Sequence, residues 1–385
     1  MLKGKAQISE ELKFFFTGVK VMRTTAKKYG IQLNLLEVGE LDVADSRLSG
    51  SEVHAATRQV SVEWLSDCKR ARSSSTELMN QIADLSNLSR ACQRVISHGG
   101  SGGIDGMSTG DLGAWFANHW RELQSSLLEG SYQPNGLRGV SIPKASGGER
   151  QLSIPTVKDR MVQQAILQVL SPRYEPIFSV NSYGFRPGKG AHGALESAGR
   201  QIASGKHWVI DLDISKFFDE VNHDRLLWKL SRRIGDRRVL ELIHRFLRCG
   251  LLGRGLESQR IKGTPQGSPL SPLLSNIVLD ELDKELEGRG LSFVRYADDV
   301  IILVGSHRAA QRVKGSITKY VEEKLKLRVS AQKSRICRPY ELNYLGHSLG
   351  WKGELYLSRE SEVRLKASIR QLTRRNRGVS LVEVI

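Results

Sequence analysis

Cysteine is scarce in this sequence, with four in 385 residues: Cys68, Cys92, Cys249 and Cys337. Their spacing suits neither a zinc site nor a disulfide framework, so both are excluded and the thiols read as reduced. No apolar run approaches the roughly 18 residues that would span a bilayer, which excludes a transmembrane helix. The opening stretch MLKGKAQISEELKFFFTGVKVM holds only the short cluster Phe14, Phe15 and Phe16 amid charges. It lacks the apolar core of a secretory signal, and a cytoplasmic protein is expected. Internal repeats and low-complexity tracts are also missing. Acidic residues are in deficit, 41 against 58 Lys and Arg, for a formal net charge of +17. Such a field attracts polyanions and makes nucleic acid the expected partner, ahead of a membrane surface.

What is present is a hydrophobic share of 39%, enough to build a core, in a chain long enough for two or three units. Residues 1–75 match no pattern and end in the linker-like KRARSSSTE. From Leu78 apolar residues recur at helical spacing up to the glycine-rich SHGGSGGIDGMST. The stretch from Val140 reads as a strand, a glycine turn carrying Lys144 and Arg150 near its tip, a second strand ended by Pro155, and a long helix. In HWVIDLDISKFFDE, Asp211 and Asp213 alternate with Ile210, Leu212 and Ile214 and therefore share one face of a strand. A Gly/Pro loop containing Gln266 precedes a helix with Leu273, Leu274, Ile277, Val278 and Leu282 on its buried stripe.

The segment FVRYADDVIILV reads as a β-hairpin, with strands Phe293 to Tyr296 and Val300 to Val304 and a bend at Ala297, Asp298 and Asp299. Adjacent ionised carboxylates between apolar strands cost several kcal/mol unless something pairs with them. A turn that happens to be acidic would explain the hairpin alone. Phosphoryl transfer by two metals would explain it together with Asp213, since that chemistry needs carboxylates from separate strands to converge on ions roughly 3.5 to 4 Å apart.

In their order, GGIDGMS, IPKASGGERQLSIPTVKDRMVQQA, NSYGFRPGKGAHGAL, DLDISKFFDEVNHD, GTPQGSPLSPLLSNIVLDELD, RYADD, QKSRI and YLGH resemble the reverse transcriptases encoded by bacterial group II introns. The resemblance runs from about Thr76 to the end of the chain. It implies an α+β right-hand polymerase. Its N-terminal extension of unknown role would cover 1–75, fingers 76–200, a palm with an antiparallel sheet and packed helices 201–350, and the start of a helical thumb 351–385. The chain would stop within the thumb, without a maturase segment or endonuclease domain. The implied activity is RNA-directed DNA polymerase, with two Mg2+ ions, Mn2+ as a substitute, and RNA template, DNA or RNA primer and deoxynucleoside triphosphates as partners. Intron RNA is a further partner implied by the family, and a membrane is not.

Position by position, the resemblance puts the catalytic carboxylates on Asp213, Asp298 and Asp299, and the metal ligands on Asp213, the Ile214 carbonyl and Asp298. Lys144, Arg150, Phe218, Gln266 and Lys333 would bind the nucleotide, with Phe218 against the sugar's 2′ position and Lys333 at the leaving pyrophosphate. Tyr344 and Gly346 would form the primer grip, and Arg370, Arg374 and Arg375 of the basic helix would track the duplex phosphates. Three alternatives stand beside this reading. An RNA-dependent RNA polymerase is disfavoured by Phe218. A splicing cofactor with little or no polymerase activity is disfavoured by the intact Asp213 and Asp298. A retron or CRISPR-associated reverse transcriptase is disfavoured by NSYGFRPGKGAHGAL and LTRRNRG.

Overall fold

The computed structural model describes residues 77–143, 149–253, 256–258 and 260–373. Lys144, Arg374, Arg375, the side chain of Arg150 and the extension 1–75 lie outside the described residues.

The helical pattern that begins at Leu78 divides into α1 (Leu78–Ile82) and α2 (Leu85–His98). Asp84 causes the break, because its carboxylate accepts from Ser86 N and caps the second helix, a bond that competes with continued helix. α3 (Leu112–Leu128) follows the glycine-rich loop, and Gly103 of that loop lies so close to Thr156 that a Cβ would come within 2.5 Å of its Cα. The expected hairpin is β1 (Leu137–Pro143) and β2 (Glu149–Ile154), paired antiparallel with Ile142 opposite Arg150. Buried Asp159 ties down its base, accepting from Tyr132 Oη at 2.8 Å and Asn135 N at 3.1 Å. Asp159 belongs to α4 (Val157–Tyr174), which is capped by Thr156 and buried on nearly every side.

After α5 (Ala191–Ala203) the chain enters β3 (Trp208–Ser215), then α6 (Phe217–Glu220), α7 (His223–Ser231), α8 (Arg237–Arg248) and the short strands β4 (Leu251–Gly253) and β5 (Leu256–Ser258). β4 pairs in parallel with β1 and antiparallel with β5, giving a first sheet in the order β2-β1-β4-β5. The apolar stripe expected after the Gly/Pro loop is α9 (Ser271–Gly288), and all five of its predicted core residues are buried. β6 (Ser292–Tyr296) and β7 (Asp299–Val304) form the hairpin, followed by α10 (His307–Glu323), β8 (Arg328–Val329) and β9 (Arg335–Cys337). These strands make a second sheet in the order β6-β7-β3-β8, with β9 also on β3 and every pair antiparallel. A small hairpin of β10 (His347–Leu349) and β11 (Leu355–Leu357) leads to α11 (Arg359–Leu372). The architecture is mixed α+β, and among the described residues no helix is long and apolar enough to cross a membrane.

Two cores sandwich the second sheet, which follows from the period of two in its strands. Ile210, Leu212, Ile214, Val300 and Ile302 face the larger helical core. Val209, Ile301 and Leu303 face the smaller one, with Ala194, Leu195 and Ala198 of α5 and with Tyr344. Asp211 and Asp213 continue the Val209 face, and Asp299 continues the Ile301 face, so the carboxylates emerge together where the smaller core ends.

Asp280 of α9 is half-buried. Its Oδ1 has no hydrogen-bond partner, and burial lifts its carboxyl from 3.8 to about 6 against the pull of Lys284. The folded state therefore holds a proton between about pH 4 and 6 that the unfolded chain has lost, and stability falls as pH rises through that window. Asp280→Asn is expected to stabilise the protein by about 1–2 kcal/mol at pH 7 and by nothing near pH 3.5, read from urea unfolding at both pH values. Equal effects at the two pH values would contradict the buried-charge explanation.

Candidate active site

The hairpin bend is tighter than the sequence pattern suggests. Tyr296 pairs directly with Asp299, which leaves Ala297 and Asp298 alone at the turn and moves Asp299 into the strand. Such a two-residue turn needs a left-handed residue, and Ala297 supplies it with a φ of 58°, a costly conformation for a residue with a Cβ.

A buried network holds that conformation. Arg295 is 0% exposed, and its guanidinium makes a two-pronged pair with Asp283 of α9, Nε to Oδ1 at 2.7 Å and Nη2 to Oδ2 at 2.5 Å. Nη1 donates to the Ala297 carbonyl and to Asn276 Oδ1, both at 2.9 Å. Asn276 in turn donates from Nδ2 to the carbonyl of Gly184 at 3.0 Å. Gly184 must be glycine, because a Cβ there would lie 2.2 Å from Ala297 N. The same segment adds main-chain bonds to β6, from Tyr183 N to the Arg295 carbonyl at 2.8 Å and from Arg295 N to the Asn181 carbonyl at 2.9 Å. Arg295, Asp283, Asn276 and Gly184 are site residues that the motif reading passed over. The usable signal was an arginine inside an otherwise apolar strand, which has to find a carboxylate partner.

The bend delivers Asp298 to the mouth of the sheet, and the register sets Asp213 of β3 opposite Asp299 of β7. Facing like charges are unfavourable in a sheet. Desolvation first, then the charges of Asp298, Asp211 and Asp213, hold the Asp299 carboxyl up at about 6, although it reaches solvent on one side. Cations from the β9 side offset part of this charge: Lys333 Nζ lies 3.5 Å from Asp213 Oδ2, and Arg335 Nε 3.6 Å from Asp211 Oδ2. Ser334 Oγ accepts from the main-chain N–H of Asp213 at 3.0 Å, which fixes the strand end.

Phe218 and Gln266, expected at the sugar and the base, come from the turn after β3 and from the Gly/Pro loop. Lys216 takes the left-handed conformation, φ 48°, and swings the chain into α6. Phe217 is 2% exposed and belongs to the core, whereas Phe218 is half-buried, with the two rings edge to face at 5.4 Å. Thr264 N donates to the Phe218 carbonyl at 2.6 Å, and Gly263 packs so closely that a Cβ would meet the Phe218 and Asp219 carbonyls at 2.9 Å. Two residues on, the Gln266 carbonyl accepts from Ser153 N of β2 at 2.9 Å. One loop thus ties the first hairpin to Phe218, with Gln266 between them.

The remaining residues are placed less directly. Tyr344 is 3% exposed in the smaller core, and it precedes a tight turn where Leu345 has φ 51° and Gly346 φ 80°. Arg370 is exposed on α11. Ile214 is buried by its side chain within β3.

Among the described residues no group of three or more His, Cys, Asp or Glu could hold a metal ion by side chains alone. Asp213 and Asp298 with the Ile214 carbonyl are an all-oxygen set, the chemistry that suits Mg2+, an ion bound through one or two carboxylates and completed by substrate phosphates and water.

The Arg295 network makes a stability prediction that does not depend on activity. Arg295→Met strands Asp283 as a buried unpaired charge and is expected to cost about 3–5 kcal/mol, whereas Arg295→Met combined with Asp283→Leu removes both charges and recovers most of the loss. Urea unfolding of the parent and both variants measures this. A double variant no more stable than the single one would contradict the pairing.

Comparison with known proteins gives the family. The family described as reverse transcriptase (RNA-dependent DNA polymerase) matches residues 142–349. Protein YkfC of Escherichia coli K12 is 33% identical over 322 residues, covering 74% of this chain and 84% of YkfC. The group II intron-encoded protein LtrA of Lactococcus lactis subsp. cremoris is 29% identical over 310 residues, covering 63% of this chain and 52% of LtrA, so the chain spans about half the length of that relative. A solved partial Cas6-RT-Cas1–Cas2 complex contains a chain 29% identical, with 65% of this chain and 43% of that one covered and a TM-score of 0.41. With the match spanning more than half of its length, the chain belongs to the reverse transcriptase (RNA-dependent DNA polymerase) family, and its motifs and its likeness to LtrA support the group II intron type within that family.

Proposed function

We propose that the chain is an RNA-directed DNA polymerase that copies RNA into DNA by nucleotidyl transfer at Asp213 and Asp298. One observation carries this reading: Asp213 faces Asp299 across β3 and β7, with Asp298 at the adjoining bend, so carboxylates from two strands crowd one end of the sheet. That crowding is unfavourable for the fold alone and is relieved by bound cations.

Asp213, Asp298 and the Ile214 carbonyl would hold two Mg2+ ions, for which Mn2+ substitutes. Such ions would supply a lowered pKa for the primer hydroxyl and positive charge against the leaving pyrophosphate. The chain's own side chains do the rest. Lys333, 3.5 Å from Asp213, would neutralise or protonate the departing pyrophosphate. Lys144 and Arg150 on the β1–β2 hairpin clamp the triphosphate, Arg150 by paired donors to phosphate oxygens. Gln266 underlies the templating base pair, and the Leu345–Gly346 turn supports the primer. Arg370, Arg374 and Arg375 contact duplex phosphates without regard to sequence. Template, primer and deoxynucleoside triphosphates are the partners, and likeness to LtrA supports intron RNA as a further one.

Asp213→Asn and Asp298→Asn are each expected to abolish DNA synthesis on a primed RNA template while leaving RNA binding within a few fold. Near-normal extension by either variant would overturn the assignment. Co-precipitation of intron RNA without any extension by the parent would favour a splicing cofactor instead.

The two phenylalanines after β3 separate in their effects. Half-buried Phe218 leaves room for a 2′ hydrogen but not for a hydroxyl, so Phe218→Ala is expected to raise ribonucleotide incorporation by tenfold or more, with each factor of ten worth about 1.4 kcal/mol. Phe217→Ala, in the core, is expected to cost about 3–5 kcal/mol of stability and to leave sugar preference alone. Single-nucleotide incorporation of each sugar and urea unfolding distinguish the two roles. An unchanged preference in Phe218→Ala would remove it from the sugar site.

A further inference from the structure

Phe185 runs against two local expectations at once. Its φ is 60°, in the left-handed region that glycine and asparagine occupy with less strain, and its ring is 52% exposed. Folding alone would favour a small or polar residue at such a place.

The flanking residues explain how the ring is held. On one side Gly184 abuts the main chain of Ala297 and is bonded through its carbonyl to Asn276. On the other side Arg186 is buried, with Nε donating to Glu175 Oε1 at 2.8 Å and Nη1 donating to the carbonyls of Ser179 and Ser182. With 184 and 186 both fixed, the left-handed residue between them turns its side chain outward, next to the bend that carries Asp298. Backbone strain of this kind persists only where the surroundings enforce it, and it is characteristic of functional sites.

We propose that the Phe185 ring is a nucleic-acid contact of the active site, packing on the base and sugar face of the nucleotides at the primer terminus. This rests on the polymerase reading of the Asp213 and Asp298 site. An aromatic face accepts any base, which suits an enzyme that must copy every sequence. Phe185 is therefore a primer-positioning residue, with no part in the metal or nucleotide sites.

The position allows an unusually clean test, because Phe185→Gly removes the ring and also relieves the backbone. The full chain is bound to an RNA template annealed to a DNA primer whose 3′ nucleotide is photoreactive 5-iodouracil. Crosslinks are mapped, and template–primer affinity, extension and melting temperature are measured for the parent, Phe185→Gly and Phe185→Tyr. The expected result is a crosslink at residue 185 in the parent and in Phe185→Tyr. Phe185→Gly is expected to lose about tenfold or more in template–primer affinity, the scale of one lost base–aromatic stack, and to melt no lower than the parent. Unchanged affinity in Phe185→Gly, or a loss of affinity that accompanies a lower melting temperature, would overturn the proposal. A parent that crosslinks at residue 185 yet extends no primer would sustain the contact and refute the polymerase reading separately.

Discussion

The buried pair between Arg295 and Asp283 is the constraint on which the site depends. Both side chains are fully buried, so neither charge has water to fall back on, and the guanidinium's remaining donor is committed to the Ala297 carbonyl and Asn276. A pair of this kind contributes little net stability compared with a well-packed apolar substitute. What it contributes here is geometry. Three segments, 181–186, 276–283 and 293–299, meet through hydrogen bonds of Arg295 and Asn276, and the acidic bend is held in one conformation from behind.

That support explains why strain gathers where it does. Among the described residues five non-glycine positions have positive φ, and four of them, Phe185, Lys216, Ala297 and Leu345, lie at the acidic bend, in the turn after β3 or in the turn before β10. Each reverses the chain tightly where a Cβ is a handicap. The fold offsets these costs with close main-chain packing, Gly184 against Ala297 and Gly263 against Phe218 and Asp219. Preorganisation of this sort would spare reacting groups a reorganisation when substrate arrives.

The sequence was most legible where one period ruled. Alternation in β3 placed Asp211 and Asp213 on one face, and the stripe of α9 was read residue by residue, because both features are local. Legibility ended where tertiary contacts decided. The bend proved to have two residues rather than three, since register depends on pairing across the hairpin and not on the run DD itself. Arg295 read as one letter of RYADD, because its partner Asp283 sits on another element that only folding brings near. Tyr344 belongs to a motif that suggests a primer contact, and its burial in the smaller core is set by packing that no local pattern marks. The helix expected as one piece from Leu78 broke at Asp84, where a capping side chain outbid continued helical periodicity.

In the proposed cation site, repulsion between the neighbouring carboxylates of Asp213, Asp298 and Asp299 keeps Asp213 and Asp298 ready for a metal. Electron paramagnetic resonance of Mn2+ titrated into the full chain, bound to template, primer and a non-hydrolysable deoxynucleotide, tests it without relying on turnover. Tightly bound Mn2+ is expected in the parent, and its loss is expected in both Asp213→Asn and Asp298→Asn. Equal Mn2+ binding by the parent and the two variants would contradict it.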